Sequence, residues 1–435
     1  MFFYSTNNPQ YRGDLKEAVM KGLPDDNGLY MPLEVRKVSE SFLQHLDQYR
    51  FQEIALQMAS TLLEGAIPEK ALQNIIEQSI TFPAPVVRLA EGKYILELTH
   101  GPSLAFKDFG ARFMAQTMSW FNQGEDKELT ILVATSGDTG GAVAAGFHRT
   151  PGIRVIILYP SGKVSPLQEK QLTTLGDNIT ALEVHGTFDD CQALVKRAFL
   201  DADLTRKHRL SSANSINIAR LIPQSFYYFE AYKQVMPYAD EGPVVFSVPS
   251  GNFGNLTAGL LAKRMGLPVH KFIAATNVND VVPNYLETGE YRPRPSLPTL
   301  SNAMDVGNPS NFARMKDLYG STWNIMKEDI VGYRYTDTRT EEAIRETLQE
   351  YKYLIEPHGA VGLLALAQYR AQTQQKIRGI VLETAHPAKF LEDMERIVNG
   401  PIEVPERLAV LANREKRSVQ LTTRFEDFKE WLLEN

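Results

Sequence analysis

The sequence contains almost no cysteine and no long apolar run, and both absences narrow what the chain can be. Cys191 is the single cysteine among 435 residues, so an internal disulfide and a four-thiolate metal site are excluded, and a reducing compartment is favoured. No stretch approaches the ~20 apolar residues that a membrane span requires. The N-terminal residues show neither a signal-peptide nor a transit-peptide pattern. We therefore expect a cytoplasmic protein with no membrane partner.

Basic clusters and the common nucleotide-binding motifs are also missing. The net charge is −6, and no run of Lys and Arg forms a basic tail, so no general attraction to nucleic acid is expected. Neither G-x-G-x-x-G nor G-x-x-x-x-G-K-[ST] occurs, which removes support for a Rossmann dinucleotide site or a Walker site. The eight histidines show no metal-ligand spacing, and we predict no metal.

Short apolar segments alternate with helical patterns after about residue 94. Nearly continuous apolar runs, the predicted strands, lie at 129–134, 154–160, 243–249, 271–278 and 378–384. Helical patterns lie at 188–199, 255–266, 360–372 and 388–398. Apolar runs of this kind are typical of a parallel sheet covered on both faces, so the pattern predicts a doubly wound α/β fold. Residues 41–80 repeat apolar residues every three or four positions and predict an N-terminal helical region.

One predicted helix, at 165–172, has a clear start signal. Ser165 can act as the N-cap, Pro166 fits the first helical position, and Gln168 can complete a capping box.

The stretch HGPSLAFKDFG at residues 100–110 places a lysine among apolar side chains. Lys107 lies between Phe106 and Phe109. Burial lowers the pKa of a lysine by up to ~3–5 units, and a neutral lysine amine forms Schiff bases with carbonyl compounds. The alternative is a surface loop on which Lys107 pairs with Asp108.

Two predicted strand-to-helix turns could hold an anion. Residues 250–255, SGNFGN, combine glycines with the bare amides of a helix N-terminus, although a tight turn without a ligand is favoured for this stretch in isolation. Residues 135–140, TSGDTG, place hydroxyls and a carboxylate at the carboxyl edge of the sheet, where ligands of open α/β sheets bind. The alternative for this second turn is simple capping by Asp138 or Thr139.

Further polar residues follow two other predicted strands. The stretch SSANSINIARL at 211–221 clusters hydroxyl and amide side chains before Arg220, which suits a phosphate or carboxylate, with a solvent-facing loop as the alternative. Thr384 ends the strand at 378–384, and we predict that the nearby His386 is structural. A desolvated lysine, a phosphate turn and polar strand ends are together the parts required to bind pyridoxal 5'-phosphate.

At these residues the sequence resembles the threonine synthase family, which are pyridoxal-phosphate enzymes of the tryptophan-synthase-β-like fold type II. The resemblance runs through nearly the whole chain, from the helical N-terminal region to about Gly400. The motifs that carry it are HGPSLAFKDFG, ATSGDTG, LYPSGKVSPLQEK, SSANSINIARL, VPSGNFGNLTAGLLAK, AATNVND, LSNAMDVGNPSN and TAHPAKF. The resemblance implies two doubly wound, mostly parallel-sheet α/β domains with the cofactor between them. We expect an N-terminal mainly helical domain at 1–90, a large cofactor domain at 91–127 and 241–400, a smaller mobile domain at 128–240, and a C-terminal segment at 401–435.

The resemblance also implies roles for individual residues. Lys107 would be the Schiff-base lysine and the acid/base residue, and Thr384 would place its hydroxyl at the pyridine nitrogen. Asp138 would lie near the phenolic oxygen, where many relatives have asparagine. The cofactor phosphate would be held by Gly251, Asn252, Phe253, Gly254 and Asn255. The substrate would be held by Ser136, Gly137 and Thr139, and its phosphate by Asn214, Ser215 and Arg220.

The implied reaction converts O-phospho-L-homoserine and water to L-threonine and phosphate, the last step of threonine biosynthesis. Three alternatives stay open: a serine or threonine dehydratase of the same fold, a non-catalytic homologue that binds pyridoxal phosphate, and an α/β phosphosugar- or nucleotide-binding protein without it. Such dehydratases usually have consecutive glycines in the phosphate turn, which SGNFGN lacks. Self-association also stays open.

Overall fold

The computed structural model describes residues 1–435, which form fourteen β-strands and twenty α-helices. The strands are β1 Phe3–Ser5, β2 Asn8–Gly13, β3 Tyr30–Pro32, β4 Val86–Ala90, β5 Lys93–Glu97, β6 Leu129–Ala134, β7 Ile153–Pro160, β8 Ile179–Val184, β9 Arg209–Ser212, β10 Val244–Pro249, β11 Val269–Thr276, β12 Ile330–Arg334, β13 Arg378–Glu383 and β14 Val419–Leu421.

The helices follow the strands in the alternation that the sequence predicts. They are α1 Leu15–Lys21, α2 Glu40–Gln44, α3 Phe51–Leu63, α4 Glu69–Ser79, α5 Lys107–Asn122, α6 Asp138–Phe147, α7 Pro166–Thr173, α8 Phe188–Leu200, α9 Ala202–Lys207, α10 Ile218–Leu221, α11 Phe226–Val235, α12 Gly254–Arg264, α13 Val281–Thr288, α14 Phe312–Leu318, α15 Trp323–Asp329, α16 Asp337–Tyr351, α17 Pro357–Thr373, α18 Leu391–Val398, α19 Glu406–Ala412 and α20 Phe425–Glu434.

Two mainly parallel sheets organise the chain. The larger has the strand order β12-β11-β10-β13-β5-β4 and is parallel except at its β4 edge, which runs antiparallel to β5. The smaller has the order β14-β8-β7-β6-β9 and is parallel throughout. None of the helices is both long and apolar enough to cross a membrane.

The central strands are buried on both faces, which explains their nearly continuous apolar runs. In β10, Phe246 packs into the largest apolar core while its neighbour Val245 packs into a second core on the opposite face. In β6, Val133 joins that largest core and Leu132 packs into a third one. Because each strand presents apolar side chains to both faces, helices must cover both sides. The predicted doubly wound α/β class is confirmed.

The N-terminal region is helical where the sequence predicts it, but it also contains a small sheet. In α3, Ile54, Met58 and Leu62 repeat every four residues and are buried. The antiparallel sheet β2-β1-β3 was not predicted, because β2 has the polar sequence NPQYRG and is largely exposed. It carries no alternation of apolar and polar residues from which a strand could be read.

The C-terminal segment is part of the smaller sheet's structure. Strand β14 pairs in parallel with β8, and Phe425, Phe428 and Leu432 of the last helix pack into the same core as Leu182 of β8. We propose that each large sheet marks one α/β domain and that the C-terminal segment belongs to the smaller one. The boundaries given above remain predictions.

Candidate active site

Backbone pairing between the ends of β5 and β13 brings Lys107 and Thr384 together. Beyond these strands Ala105 and Ala385 form an isolated antiparallel bridge, and the Phe106 amide donates to the Thr384 carbonyl at 2.9 Å. Helix α5 begins at Lys107 itself. The lysine and the threonine therefore meet at the carboxyl edge of the larger sheet, where open α/β sheets bind ligands.

The Lys107 ammonium is largely removed from water. Only 15% of its side chain is exposed, and its Nζ lies 3.6 Å from Asp138 Oδ2. Burial lowers the pKa of Lys107; Asp138 opposes this shift, and the positive charges of Lys389 and Arg220 add to it. The lysine is therefore desolvated, as its apolar neighbours predict.

The alternative pairing of Lys107 with Asp108 on a surface loop is wrong. Asp108 is fully buried, and its Oδ2 accepts a hydrogen bond from the Ser103 amide at 2.9 Å. This contact ties the loop before α5 to the first turn of the helix, so Asp108 has a structural role.

Asp138 lies between two lysines and an amide. Its Oδ1 is 2.6 Å from Lys389 Nζ and accepts a hydrogen bond from Gln168 Nε2 at 2.9 Å. Burial would raise the pKa of Asp138, but the charges of Lys389 and Lys107 hold it below the ordinary range for an aspartate. Asp138 is therefore a carboxylate.

Lys389 was not predicted to belong to the site, although the sequence carried a signal for it. It lies between the apolar residues Ala388 and Phe390, and it is 1% exposed. It lies in the 3₁₀ turn Pro387–Phe390 (the 387–390 turn). His386 caps this turn, because its Nδ1 accepts a hydrogen bond from the Ala388 amide at 3.1 Å. Burial lowers the pKa of His386 to about 4. His386 is a neutral capping residue, in agreement with the structural role predicted for it.

The β6–α6 turn, residues 135–140, is capped by a residue other than those expected. The Thr135 hydroxyl accepts hydrogen bonds from the Gly137 amide at 3.0 Å and the Gly140 amide at 2.9 Å. The expectation that Asp138 or Thr139 is the N-cap is therefore wrong, because Gly137 precedes the helix and Thr135 satisfies the amides. The Asp138 carboxylate is left for the lysines.

The two hydroxyl side chains of the β6–α6 turn remain available to a ligand. Ser136 is exposed and Thr139 is half-buried. Gly137 has φ = +142°, and a Cβ on it would lie 2.8 Å from the Gln168 side chain, so glycine is required there.

The predicted capping box at the start of α7 is wrong. Ser165 is the N-cap, and its hydroxyl accepts a hydrogen bond from the Gln168 amide at 3.4 Å, as expected. The Gln168 side chain does not return to the Ser165 amide. Its Oε1 accepts from the Ser165 hydroxyl at 3.1 Å, and its Nε2 donates to Asp138, because a hydrogen bond to a buried carboxylate is stronger than one within a cap.

The β10–α12 turn, residues 250–255, presents free donors. Phe253 has the left-handed conformation, with φ = +60°, and α12 starts at Gly254. The first amide bonded within the helix is that of Thr257, to the Phe253 carbonyl, so the amides before it have no acceptor in the helix. The Asn255 Nδ2 is buried and has no partner.

The tyrosines of α11 fix the orientation of that free amide. Asn255 Oδ1 accepts hydrogen bonds from Tyr227 Oη at 2.6 Å and Tyr228 Oη at 2.8 Å. A Cβ on Gly254 would have only ordinary neighbours, with Asn311 Nδ2 at 3.4 Å and Ser215 Cβ at 3.9 Å. Unsatisfied amides, an unpartnered buried donor and this open space together fit the phosphate of pyridoxal phosphate.

The first half of the β10–α12 turn is fixed by the Pro- and Asn-rich segment before α14. The Asn252 carbonyl accepts from the Asn311 amide at 3.2 Å, and Asn252 Oδ1 accepts from the Ser310 hydroxyl at 3.2 Å. A Cβ on Gly251 would lie 2.4 Å from the Ala303 carbonyl, so only glycine fits there.

Arg220 is a buried cation without a counter-ion. It is 2% exposed, its Nη1 donates to the Ala213 carbonyl at 2.5 Å, and its Nε has no partner. Burial lowers the pKa of Arg220 to about 10, with Asp108 opposing. Because an uncompensated buried charge is costly, this guanidinium is suited to an anionic ligand.

The 211–217 loop includes the last two residues of β9 and leads to α10, the helix that carries Arg220. Asn214 and Ser215 are half-buried, and neither side chain is bonded within the chain, while the Ser215 carbonyl accepts from Asn311 Nδ2 at 3.4 Å. The alternative of a solvent-facing loop is wrong, since Ser211 and Asn217 are fully buried. The loop thus meets the β10–α12 turn across Asn311.

Arg314 anchors this meeting point, and sequence reasoning missed it. Its guanidinium donates to the Tyr30 carbonyl at 3.1 and 3.2 Å, the Ile216 carbonyl at 2.6 Å and Asn311 Oδ1 at 2.7 Å. It therefore joins the N-terminal region, the 211–217 loop and the β10–α12 turn. An arginine in the first turn of the short helix α14, directly after a Pro- and Asn-rich segment, gives no local signal of such a role.

Thr384 contacts a buried carboxylate below the site. Its hydroxyl donates to Glu356 Oε1 at 3.4 Å. Glu356 is the N-cap of α17 and accepts from the His358 and Gly359 amides, both at 2.9 Å. Glu356 was also missed, because it lies at the start of α17 whereas Thr384 follows β13, and their contact forms only in the folded chain.

Known proteins match the chain along its full length. It matches families described as "Threonine synthase N terminus" over residues 2–80, "Pyridoxal-phosphate dependent enzyme" over 81–383, and "Threonine synthase, C-terminal" over 359–431. The last match extends well beyond Gly400, near which the resemblance described above ends.

Individual relatives agree with these families. Threonine synthase of Haemophilus influenzae is 45% identical over 94% of each chain. The crystal structure of threonine synthase from Escherichia coli is similar with a TM-score of 0.92, 43% identity and 100% coverage of each chain. The structure of threonine synthase with bound pyridoxal phosphate from Brucella melitensis is similar with a TM-score of 0.92 and 33% identity over 99% of this chain and 98% of that one. The chain therefore belongs to the threonine synthase family of pyridoxal-phosphate-dependent enzymes.

Proposed function

We propose that the chain is a threonine synthase that converts O-phospho-L-homoserine and water to L-threonine and phosphate. The observation that carries this proposal is the presence of two separate places for an anion. The β10–α12 turn suits the phosphate of the cofactor, and the buried, unpaired Arg220 suits a second phosphate. A substrate with a phosphate of its own accounts for both.

Bound pyridoxal phosphate supplies an aldehyde carbon and a ring that accepts negative charge from the substrate's α-carbon. The free amides of the β10–α12 turn and Asn255 Nδ2 bind its phosphate. Thr384 would place its hydroxyl at the pyridine nitrogen, and Lys107 would be the residue that holds the aldehyde carbon.

Lys107 also moves protons. Because burial favours its neutral form, its free amine could accept the proton from the substrate's α-carbon. The same nitrogen can return a proton to the γ-carbon after the phosphate leaves. One amine that serves several steps must be shielded from water between them.

The remaining site residues orient the substrate. Ser136, Gly137 and Thr139 bind its carboxylate at the start of α6, where the Ser136 and Thr139 hydroxyls are available and Thr135 occupies only the Gly137 and Gly140 amides. Asn214, Ser215 and Arg220 bind its phosphate and stabilise the negative charge that develops as that group leaves. These two groups extend from the smaller sheet, whereas Lys107 and the β10–α12 turn extend from the larger one. We infer that the smaller domain closes over the substrate and excludes water.

Two measurements on the purified protein test the proposal. With pyridoxal phosphate the protein should be yellow, and borohydride reduction followed by peptide mass spectrometry should find the cofactor on Lys107. With O-phospho-L-homoserine it should release phosphate and threonine in equal amounts. Keto-acid production from serine or threonine instead would favour a dehydratase, and colour without turnover would favour a non-catalytic homologue.

Substitution of Lys107 tests its assigned role. Lys107→Ala should lower kcat by about 10³-fold or more, because both the attachment and the proton transfers depend on this amine. Circular dichroism should remain that of the native fold. An active variant would contradict the mechanism.

Substitution of Arg220 separates the two anion sites. Arg220→Lys should lower kcat/KM for O-phospho-L-homoserine by roughly 10²-fold, because a lysine cannot supply the guanidinium's planar set of donors. Its affinity for pyridoxal phosphate should stay native. The matched control is Arg378→Lys, at a buried arginine that donates to the carbonyls of Gly242 and Val235. A parallel loss of cofactor in Arg220→Lys would contradict the assignment of Arg220 to the substrate.

A further inference from the structure

The Asp138 carboxylate is shared unequally between the two lysines. Lys389 is fully buried, and its Nζ lies 2.6 Å from Asp138 Oδ1 and donates to the Ser103 carbonyl at 2.9 Å. Lys107 Nζ lies 3.6 Å from Oδ2, which is beyond the range of a good hydrogen bond. Asp138 is thus bound to Lys389 and only adjacent to Lys107.

The charges around Lys107 and Asp138 come from five elements, which include the helix of Lys107 itself. Lys107 faces Asp138 of α6, Lys389 of the 387–390 turn and Arg220 of α10. Asp138 also faces His358 of α17. The remaining carboxylate, Asp108 on the same helix as Lys107, faces Arg220 and Lys389.

A single buried carboxylate beside Lys107 would work against catalysis. An opposite charge within ~4–6 Å favours the charged form of an amine, and an ammonium has no lone pair with which to attack an aldehyde. Lys389 supplies Asp138 with a closer positive charge. The Asp138–Lys389 pair then has almost no net charge, so it holds little attraction for a proton on Lys107.

We propose that Lys389 is a positioning residue, which holds the Asp138 carboxylate as its own partner so that the Lys107 amine stays free to react. This inference rests on the proposed function only in taking Lys107 as the residue that binds the cofactor. Lys389 acts through Asp138, so its effect depends on the charge at position 138.

Three variants test this dependence. Lys389→Met leaves the Asp138 carboxylate with Lys107 as its nearest cation, Asp138→Asn leaves Lys107 beside an unpaired Lys389, and the double variant Asp138→Asn/Lys389→Met removes both charges. The first readout is the pH at which Lys107 of the cofactor-free full-length protein is half-modified by an amine reagent, with peptide mass spectrometry separating position 107 from position 389. The second is the pH dependence of kcat/KM and of the cofactor's absorption band in the holoenzyme.

The expected order of the midpoints follows from the charges. Lys389→Met should raise the labelling midpoint of Lys107 by about one pH unit or more, which is about tenfold in amine reactivity at a fixed pH below the midpoint. Asp138→Asn should lower the midpoint. The double variant should return close to native, and the acid limb of the kcat/KM profile should move in the same order.

A control and a second comparison keep the proposal falsifiable. Lys429→Met removes another lysine held by carboxylates, those of Asp201 and Asp203 at 2.8 and 2.7 Å, and should leave the Lys107 midpoint unchanged. A native midpoint in a folded Lys389→Met protein would overturn the proposal. If that variant does not fold, the native protein, Asp138→Asn and the double variant are compared, and a midpoint in Asp138→Asn that is not below both others would overturn it.

The readouts also separate this inference from the proposed function. If the protein takes up no cofactor on Lys107, the proposed function fails, whatever the labelling midpoints are. If the adduct and the phosphate release are both found but the midpoints do not follow the stated order, only the role of Lys389 fails.

Discussion

The β6–α6 turn and the β10–α12 turn have the same backbone plan but opposite chemistry. Each follows a buried parallel strand, contains glycine and opens a helix. In the first, Thr135 occupies two of the amides and Asp138 adds a carboxylate. In the second, no side chain caps the helix, no charge is present, and Asn255 keeps a free donor. A strand-to-helix turn therefore offers an anion only those amides that the chain leaves unoccupied, and the β10–α12 turn offers more of them than the β6–α6 turn does.

The largest expected effect comes from placing a charge in the β10–α12 turn, which has no charged residue. Asn255→Asp should weaken pyridoxal-phosphate binding by about 100-fold or more, because a buried carboxylate replaces the free amide donor and repels a phosphate. Titration of the cofactor-free protein, followed by absorbance, measures this affinity. The matched control is Asn308→Asp, at an exposed asparagine of the irregular segment before α14, which should bind with native affinity. An unchanged affinity in Asn255→Asp would remove the contrast between the turns.

A smaller effect should follow from removal of the Thr135 hydroxyl, which caps the β6–α6 turn. Thr135→Val keeps the shape of the side chain but leaves the Gly137 and Gly140 amides without their acceptor. We expect the free energy of unfolding to fall by about 1–2 kcal/mol, measured by chemical denaturation. Thr288→Val, at an exposed hydroxyl that donates to the Asn284 carbonyl, is the control and should change stability much less. Equal losses in the two variants would show that Thr135 does not support the turn as described.

The smallest expected effect is a change in stability with pH, and it involves His386. This residue caps the 387–390 turn, which carries Lys389, the partner of Asp138 in the β6–α6 turn. The pKa of His386 is about 4 in the folded chain, below its unfolded value of about 6.5. A depressed pKa contributes stability above pH 6.5 that is lost as the pH falls toward 4. At pH 6 the loss should be roughly 0.5–1 kcal/mol.

Asn at position 386 can cap but cannot titrate, so His386→Asn is the matched variant for this pH effect. Denaturation at several pH values between 7 and 4 should show a steeper loss of stability in the native protein than in the variant. Parallel curves would show that His386 does not contribute to the pH dependence.

Local sequence signals predicted the scaffold and the lysine at its centre. The strands could be predicted because both faces of each sheet are covered, so their residues form continuous apolar runs. The burial of Lys107 could be predicted from Phe106 and Phe109, which lie within two residues of it in the sequence. In each case the signal and its physical cause lie within a few residues of each other.

The parts of the site that were missed depend on contacts between distant segments. Lys389 belongs to the site because it pairs with Asp138, and Arg314 because it donates hydrogen bonds to the carbonyls of Tyr30 and Ile216. Gln168 carried a correct local signal for a capping box, but a buried carboxylate from another helix attracted its side chain. No periodicity or spacing contains such information, since charge pairing in a folded chain is set by tertiary approach.

The position of β14 at the edge of the smaller sheet affects the order in which the protein can be completed during synthesis. β8 cannot gain this neighbour until β14, which lies far along the chain from it, has left the ribosome, and the closure of so long a loop is slow. Until then, the outer edge of β8 remains an open template for pairing with other chains. We expect nascent chains that lack the last seventeen or so residues to aggregate more readily than full-length ones, in line with the hazard of unpaired strand edges.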